Sequence, residues 1–268
     1  LQFMAPGGIT RAFDLSGDAG LVPLDPAWYY AGGRFVVMGF NHILSGIDHL
    51  LFLFCLVIPF RRIRPLIPVV SAFTIAHSIT LIGSAYGFAP DVLWFPPLIE
   101  MLIAVSIVYM ALENIVVLEP KERWIITFFF GLVHGFGFSF VLRDTLQFAG
   151  SHVLLSLLSF NVGVELGQLF MLAIFVPALN LLFRKVVPQR LGTIILSALV
   201  AHQAWHWMED RFDALAQFPM PRITPEGLLS VLHWVTALAV VGAALWLISL
   251  YAKRWERRYQ DPSGAAAE

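Results

Sequence analysis

Residues 35–60 read FVVMGFNHILSGIDHLLFLFCLVIPF, and this stretch decides the fold. It exceeds the roughly 20 apolar residues that a helix needs to cross a bilayer. Its only formal charge is Asp48. A helix that is apolar on every face is either deeply buried or in lipid. Yet the stretch also carries His42, Ser45 and His49. Their spacing, i, i+3, i+7, puts them on one helix face. Asp48 lies about 100° off that face, where it can orient a neighbouring histidine.

Working outward, six more apolar stretches follow, bounded by charges, Pro and Gly: 66–86, 97–118, 124–142, 153–183, 191–209 and 228–251. The fifth stretch, 153–183, contains Pro177 and is long enough to kink or tilt. The whole chain supports the same reading. Of its 268 residues 58% are hydrophobic and 13% are charged, against roughly 25% charged in a soluble domain. A folded surface must still meet water, so no soluble fold hides this much apolar side chain. Strands of a membrane barrel alternate in polarity, and these runs do not. The expected fold is therefore all-α, a polytopic transmembrane bundle of about seven helices, because backbone groups in hydrocarbon must be satisfied internally. Residues 1–33 are read as an extramembrane lead-in, 34–252 as the transmembrane domain and 253–268 as a cytoplasmic tail. No cleavable signal peptide is expected at Leu1, and a mature or trimmed chain fits that start. The net charge of −1 says nothing about nucleic acid, but no basic cluster interleaved with aromatics appears, so nucleic acid is not an expected partner. The one cysteine, Cys55, excludes a disulfide framework and reads as a small buried hydrophobe.

The loops predict the orientation. Twelve of the 17 basic residues fall after stretches one, three, five and seven. The positive-inside rule then places the N-terminus outside and the C-terminus in the cytoplasm. The expected location is the bacterial inner membrane. Trp94, Trp124, Trp234 and Trp255 fall near stretch ends, as an aromatic belt requires.

Polar side chains inside these stretches carry the functional signal. A charge at a helix centre in the membrane costs roughly 2.5–3.5 kcal/mol on insertion scales, and chains accept that cost mainly for function or tight pairing. Beyond the first stretch stand Thr74, His77 and Ser78, then Glu100 and Ser106, then His134 among glycines. Asn161, Glu165 and Gln168 follow at i, i+4, i+7, and so do His202, His206 and Glu209. On the predicted orientation these groups share the middle and outer layers, while the inner half holds little beyond Glu113, Asn114 and Asn180. Sorting by depth implies one pocket near the outer face. Imidazole and carboxylate together suit a divalent transition metal, Zn or Ni. The candidate ligands are His42, Asp48, His49, His77, His134, His202 and His206, with Ser45, Glu100, Asn161 and Glu165 as supporting or gating groups. A single intramembrane histidine often only hydrogen-bonds a neighbouring helix, and the glycines around His134 also suit close helix packing. The HExxH protease motif is absent, because His202 and His206 lack the intervening Glu.

The run His42-Ile-Leu-Ser-Gly46-Ile-Asp48-His49 resembles the H-x-x-x-G-x-D-H signature of the HupE/UreJ membrane proteins. Phe73-Thr74-Ile-Ala-His77-Ser78, Phe130-Gly-Leu-Val-His134-Gly-Phe-Gly and Phe160-Asn161-Val-Gly-Val-Glu165-Leu-Gly-Gln168 are similar to the longer second branch of that family. The likeness covers about 35–210. It departs from nickel-type members at Ile43, where they often have Pro, and in having the single His134 where they are His-rich. The resemblance implies nickel or similar divalent-metal transport, with His42, Asp48 and His49 handling the ion. A second likeness, Ser45-x-x-x-His49 with His202-x-x-x-His206, is similar to the zinc constellation of seven-helix alkaline ceramidases. It implies a hydrolase of a lipid or peptide, with His49, His202 and His206 on zinc and Asp48 or Glu165 as base. A structural subunit of a membrane complex is the third reading. The expected partners are a metal ion and the lipid bilayer; a homo-oligomer or a complex subunit is left open.

Overall fold

Among the described residues, helices form where the apolar stretches are, with one exception that shapes the rest. The expected single span over 35–60 is two helices, α1 (Trp28–Ser45) and α2 (Ile47–Val57), bent by 71° at Gly46. Gly46 is extended, at φ −79° and ψ 97°. Its N–H closes the last turn of α1 on His42 O at 2.9 Å, and its carbonyl accepts Leu50 N–H at 3.0 Å to open α2. A Cβ at Gly46 would lie 2.8 Å from His42 O. This corrects the expectation that His42, Ser45 and His49 share one straight helix face.

The computed structural model describes residues 2–4, 10–12, 27–117, 123–146 and 152–218, with positions 229, 233 and 236. The expected seventh stretch, 228–251, and the tail lie outside the described residues apart from those three positions. A short antiparallel ribbon pairs β1 (Gln2–Met4) with β2 (Thr10–Ala12). The remaining helices are α3 (Ile67–Ala85), α4 (Phe95–Val116), α5 (Arg123–Leu146), α6 (Val153–Lys185) and α7 (Gln189–Ala216). Pro68 and Pro96 sit in the first turns of α3 and α4, where the missing N–H costs nothing. Helix α6 runs unbroken through Pro177. Among the described residues, four helices are long and apolar enough to cross a membrane, or five spans if α1 and α2 count as one broken span. Helix α7 is long enough but is not among them. His202, Gln203 and His206 lower its apolarity.

The helices pair through small residues. Gly163 and Gly167 of α6 face α1, and Gly131 and Gly135 of α5 face α3. A Cβ on Gly163 would come 2.0 Å from Val36 O, and one on Gly135 would come 2.5 Å from His77 O. Without a hydrophobic drive in lipid, such backbone approach supplies the van der Waals contact that holds helices together. Gly39 lies at Phe160 and Val164, whereas Ile43 lies at Gly167. Both helices therefore run the same way. Helices α4 and α7 run oppositely: Glu100 near the start of α4 pairs with Arg211, and Arg190 reaches the carbonyl of Ile115.

An apolar core closes one half of the bundle. It includes Phe52, Leu56, Phe73, Ile107, Met110 and Leu172. Beyond it lies a buried polar knot. Arg123, 2% exposed, pairs with Glu113 at 2.8 Å and donates to Asn114, which in turn donates to Cys55 O at 2.8 Å. By its place between two apolar stretches Arg123 reads as a loop cation. In the fold it is an interior residue.

Candidate metal centre

The break at Gly46 assembles the site. In a straight helix, residues seven apart are separated by about 10.5 Å along the axis. Here His42 ends α1 and His49 begins α2, and their ring centroids are 4.5 Å apart. Helix α3 adds His77, with its centroid 6.2 Å from His42 and 6.3 Å from His49. One ring nitrogen from each of the three lies within 4.8 Å of the others. Among the described residues no other three His, Cys, Asp or Glu side chains converge in this way.

Partner groups fix which nitrogen His77 and His49 offer. His77 Nδ1–H donates to Asn161 Oδ1 at 3.1 Å, and Asn161 is itself held by its Nδ2–H on Leu157 O at 2.9 Å. His49 Nδ1–H donates to Asp48 Oδ1 at 3.1 Å. The Nε2 atoms of His42, His49 and His77 are buried without a hydrogen-bond partner. A buried, unpaired ring nitrogen is costly unless something binds it. Histidines that ligate metals hand their second N–H to a carboxylate or carbonyl in this manner. Three imidazoles with unpaired Nε2 atoms and one carboxylate behind them fit a divalent transition metal.

His134, on α5, stands against His49 with centroids 5.0 Å apart. Ser106 Oγ–H donates to Ile103 O at 2.6 Å, so its oxygen accepts His134 Nε2–H at 2.9 Å. That leaves His134 Nδ1 buried and unpaired. A cavity of about 530 Å³ runs up to this group, with His42, Asp48, His49 and His134 in its wall. Ser45 and Glu100 also line it, and Arg211 from α7 pairs with Glu100 at 2.9 Å. The Ser45 hydroxyl is committed to Asn41 O at 2.7 Å.

Of the residues singled out in the sequence, His42, Asp48, His49, His77, His134 and Asn161 meet here. Glu165 lies one turn farther along α6 and accepts hydroxyls from Ser71 and Thr74. His202 and His206 stand together on the exposed face of α7, centroids 4.6 Å apart, and neither joins the converging group. The buried face of α7 runs instead through Val200 and Ala204, and Trp207 and Arg211 reach the cavity wall. The ligand set of the ceramidase-like reading, His49 with His202 and His206, is not assembled. Sequence reasoning noted Ser106 without giving it a role. A lone serine amid an apolar helix was the available signal.

An all-helical membrane-type bundle with a histidine cluster at a broken helix defines the class: an integral membrane protein built around a candidate metal site. The sequence model of the family described as HupE / UreJ protein matches residues 23–211, and the chain belongs to that family. No curated protein and no solved structure matches it.

Proposed function

We propose that this protein moves a divalent transition-metal ion, nickel or a chemical neighbour such as zinc, across the bacterial inner membrane, with the N-terminus outside. The observation that carries the reading is the convergence of one ring nitrogen each from His42, His49 and His77, on three different helices, in a group whose three Nε2 atoms are buried and unpaired. Asp48 and Asn161 hold the tautomers of His49 and His77, and His134 and Asp48 line the approach. The ion is cargo. It enters through the cavity by exchanging waters for imidazoles, and Asp48 offsets part of its charge in a low-dielectric site. The core around Phe52 and Phe73 closes the opposite side, so passage requires that packing to part, as alternating access does in other transporters. The transmembrane domain is taken as 34–252, flanked by the lead-in and the tail.

Two measurements test this. Purified protein should bind about one nickel or zinc ion tightly, through three imidazoles with a further position left to water, and His49→Ala should remove that binding. Proteoliposomes should take up labelled nickel, and His49→Ala vesicles should not. Wild-type protein that binds no transition metal would overturn the reading. The cavity volume favours one other reading, a zinc hydrolase, since about 530 Å³ lies in the range of small-molecule pockets. Hydrolysis of an amide or ester by zinc-loaded protein in detergent, with no metal transport, would select it.

A further inference from the structure

We infer that His134 is a separate docking ligand on the cavity side, which takes the incoming cation and passes it across His49 to the His42–His49–His77 cluster. This rests on the metal-transport reading above and adds an order of events to it. Three observations carry it. His134 is fully buried, and its Nδ1 is unpaired. Its tautomer is set independently of the cluster, by the chain His134 Nε2–H to Ser106 Oγ–H to Ile103 O. His134 lines the cavity whereas His77 does not, and His134 stands outside the group of three that converges.

His49 is the hub of this arrangement. It touches His42, His77 and His134, with centroids 4.5, 6.3 and 5.0 Å away. The cavity wall carries His42, Asp48, His49 and His134 but not His77, so an ion entering there meets His134 and the Asp48 carboxylate before it can reach His77. Bound by that pair and by waters, it still keeps part of its hydration. Exchange of His134 for His77, with His49 retained, then completes dehydration in two smaller steps. No bond other than metal–ligand bonds forms or breaks, and no proton moves. His134 offers Nδ1 and His77 offers Nε2, so neither ring needs to change tautomer during the exchange.

The experiment is stopped-flow binding of Co²⁺ to the purified full chain, read by visible absorption, beside equilibrium titration. His134→Phe keeps the ring shape among Phe52 and Phe73 and leaves Ser106 its bond to Ile103 O. It should slow association and dissociation together by about tenfold, with affinity unchanged, because a relay alters the barrier and not the end state. Ser106→Ala, which releases the tautomer, should slow both rates in the same direction, and Ser106→Thr should restore them. His77→Ala should do the opposite and weaken affinity, mainly through faster dissociation. Wild-type rates in both His134→Phe and Ser106→Ala overturn the relay while leaving the metal cluster standing. Lost equilibrium affinity in His134→Phe also overturns it, by making His134 a ligand of the final site. Absence of Co²⁺ binding by wild-type protein removes the transport reading and the relay together.

Discussion

Asn161 offers the sharpest test of how the cluster is held. Its carbonyl oxygen is the acceptor for His77 Nδ1–H at 3.1 Å, and its amide is anchored on Leu157 O. His77 is fully buried, so no water can take over. Asn161→Leu strands a buried N–H, which costs about 1–3 kcal/mol. Nε2 is buried without a partner as well, so Nδ1 loses its advantage as the proton's site and the proton also occupies Nε2, the atom meant for the metal. Binding must then reverse the tautomer, so most of the penalty falls on affinity. Loss of such an outer hydrogen bond weakens metal sites by roughly 10–100-fold, which matches about 1.4–2.7 kcal/mol. Asn161→Asp keeps an acceptor and makes the bond charge-assisted, so it should bind at least as tightly as wild type. The assay is competition of purified protein against a chromophoric chelator for nickel, with thermal unfolding alongside. Equal affinity in Asn161→Leu and wild type, with both proteins folded, would refute the assignment of Nε2 as the donor. A loss of affinity in Asn161→Asp as large as in Asn161→Leu would refute it too.

Other outcomes follow from the same geometry. Gly46→Ala should weaken nickel binding by about tenfold, or about 1.4 kcal/mol, because the new Cβ lies 2.8 Å from His42 O and 3.1 Å from both Asp48 Oδ1 and His49 Nδ1; equilibrium titration reads this. Its backbone angles are open to alanine, so the effect is steric and thermal unfolding should change far less. Arg123→Met leaves Glu113 buried without its partner and should cost about 3–5 kcal/mol, seen as a lower Tm in detergent. Replacing Glu113 by Leu in the same chain should recover much of that loss. The pair His202→Ala with His206→Ala changes only exposed side chains; stability should stay within about 0.5 kcal/mol, and titration should show nickel affinity at the cluster unchanged.

The parts of the fold that could be read from sequence are those set by local polarity. Stretches 66–86, 97–118, 124–142, 153–183 and 191–209 correspond to α3–α7 within a few residues at most ends, because length and apolarity alone make a helix in lipid. His42, His49, His77, His134 and Asn161 stand out in the sequence as polar groups inside apolar stretches. What remained hidden depends on contacts between distant residues. Spacing says that His202 and His206 share a face of α7, but not which way that face turns; Val200 and Ala204 turn the other face inward. Arg123 reads as a loop cation until Glu113 and Asn114 are folded against it. The break at Gly46 is the instructive case. Nothing in the apolar run around it announces an end to the helix, and a lone glycine costs a helix only about 1 kcal/mol. The break becomes intelligible through what it brings together. Two histidines that a continuous helix would keep about 10.5 Å apart along its axis instead have ring centroids 4.5 Å apart, and the freed first turn of α2 carries Asp48 beside His49. The H-x-x-x-G-x-D-H run is thus a geometric instruction: the glycine is the hinge that lets its two histidines face the same point.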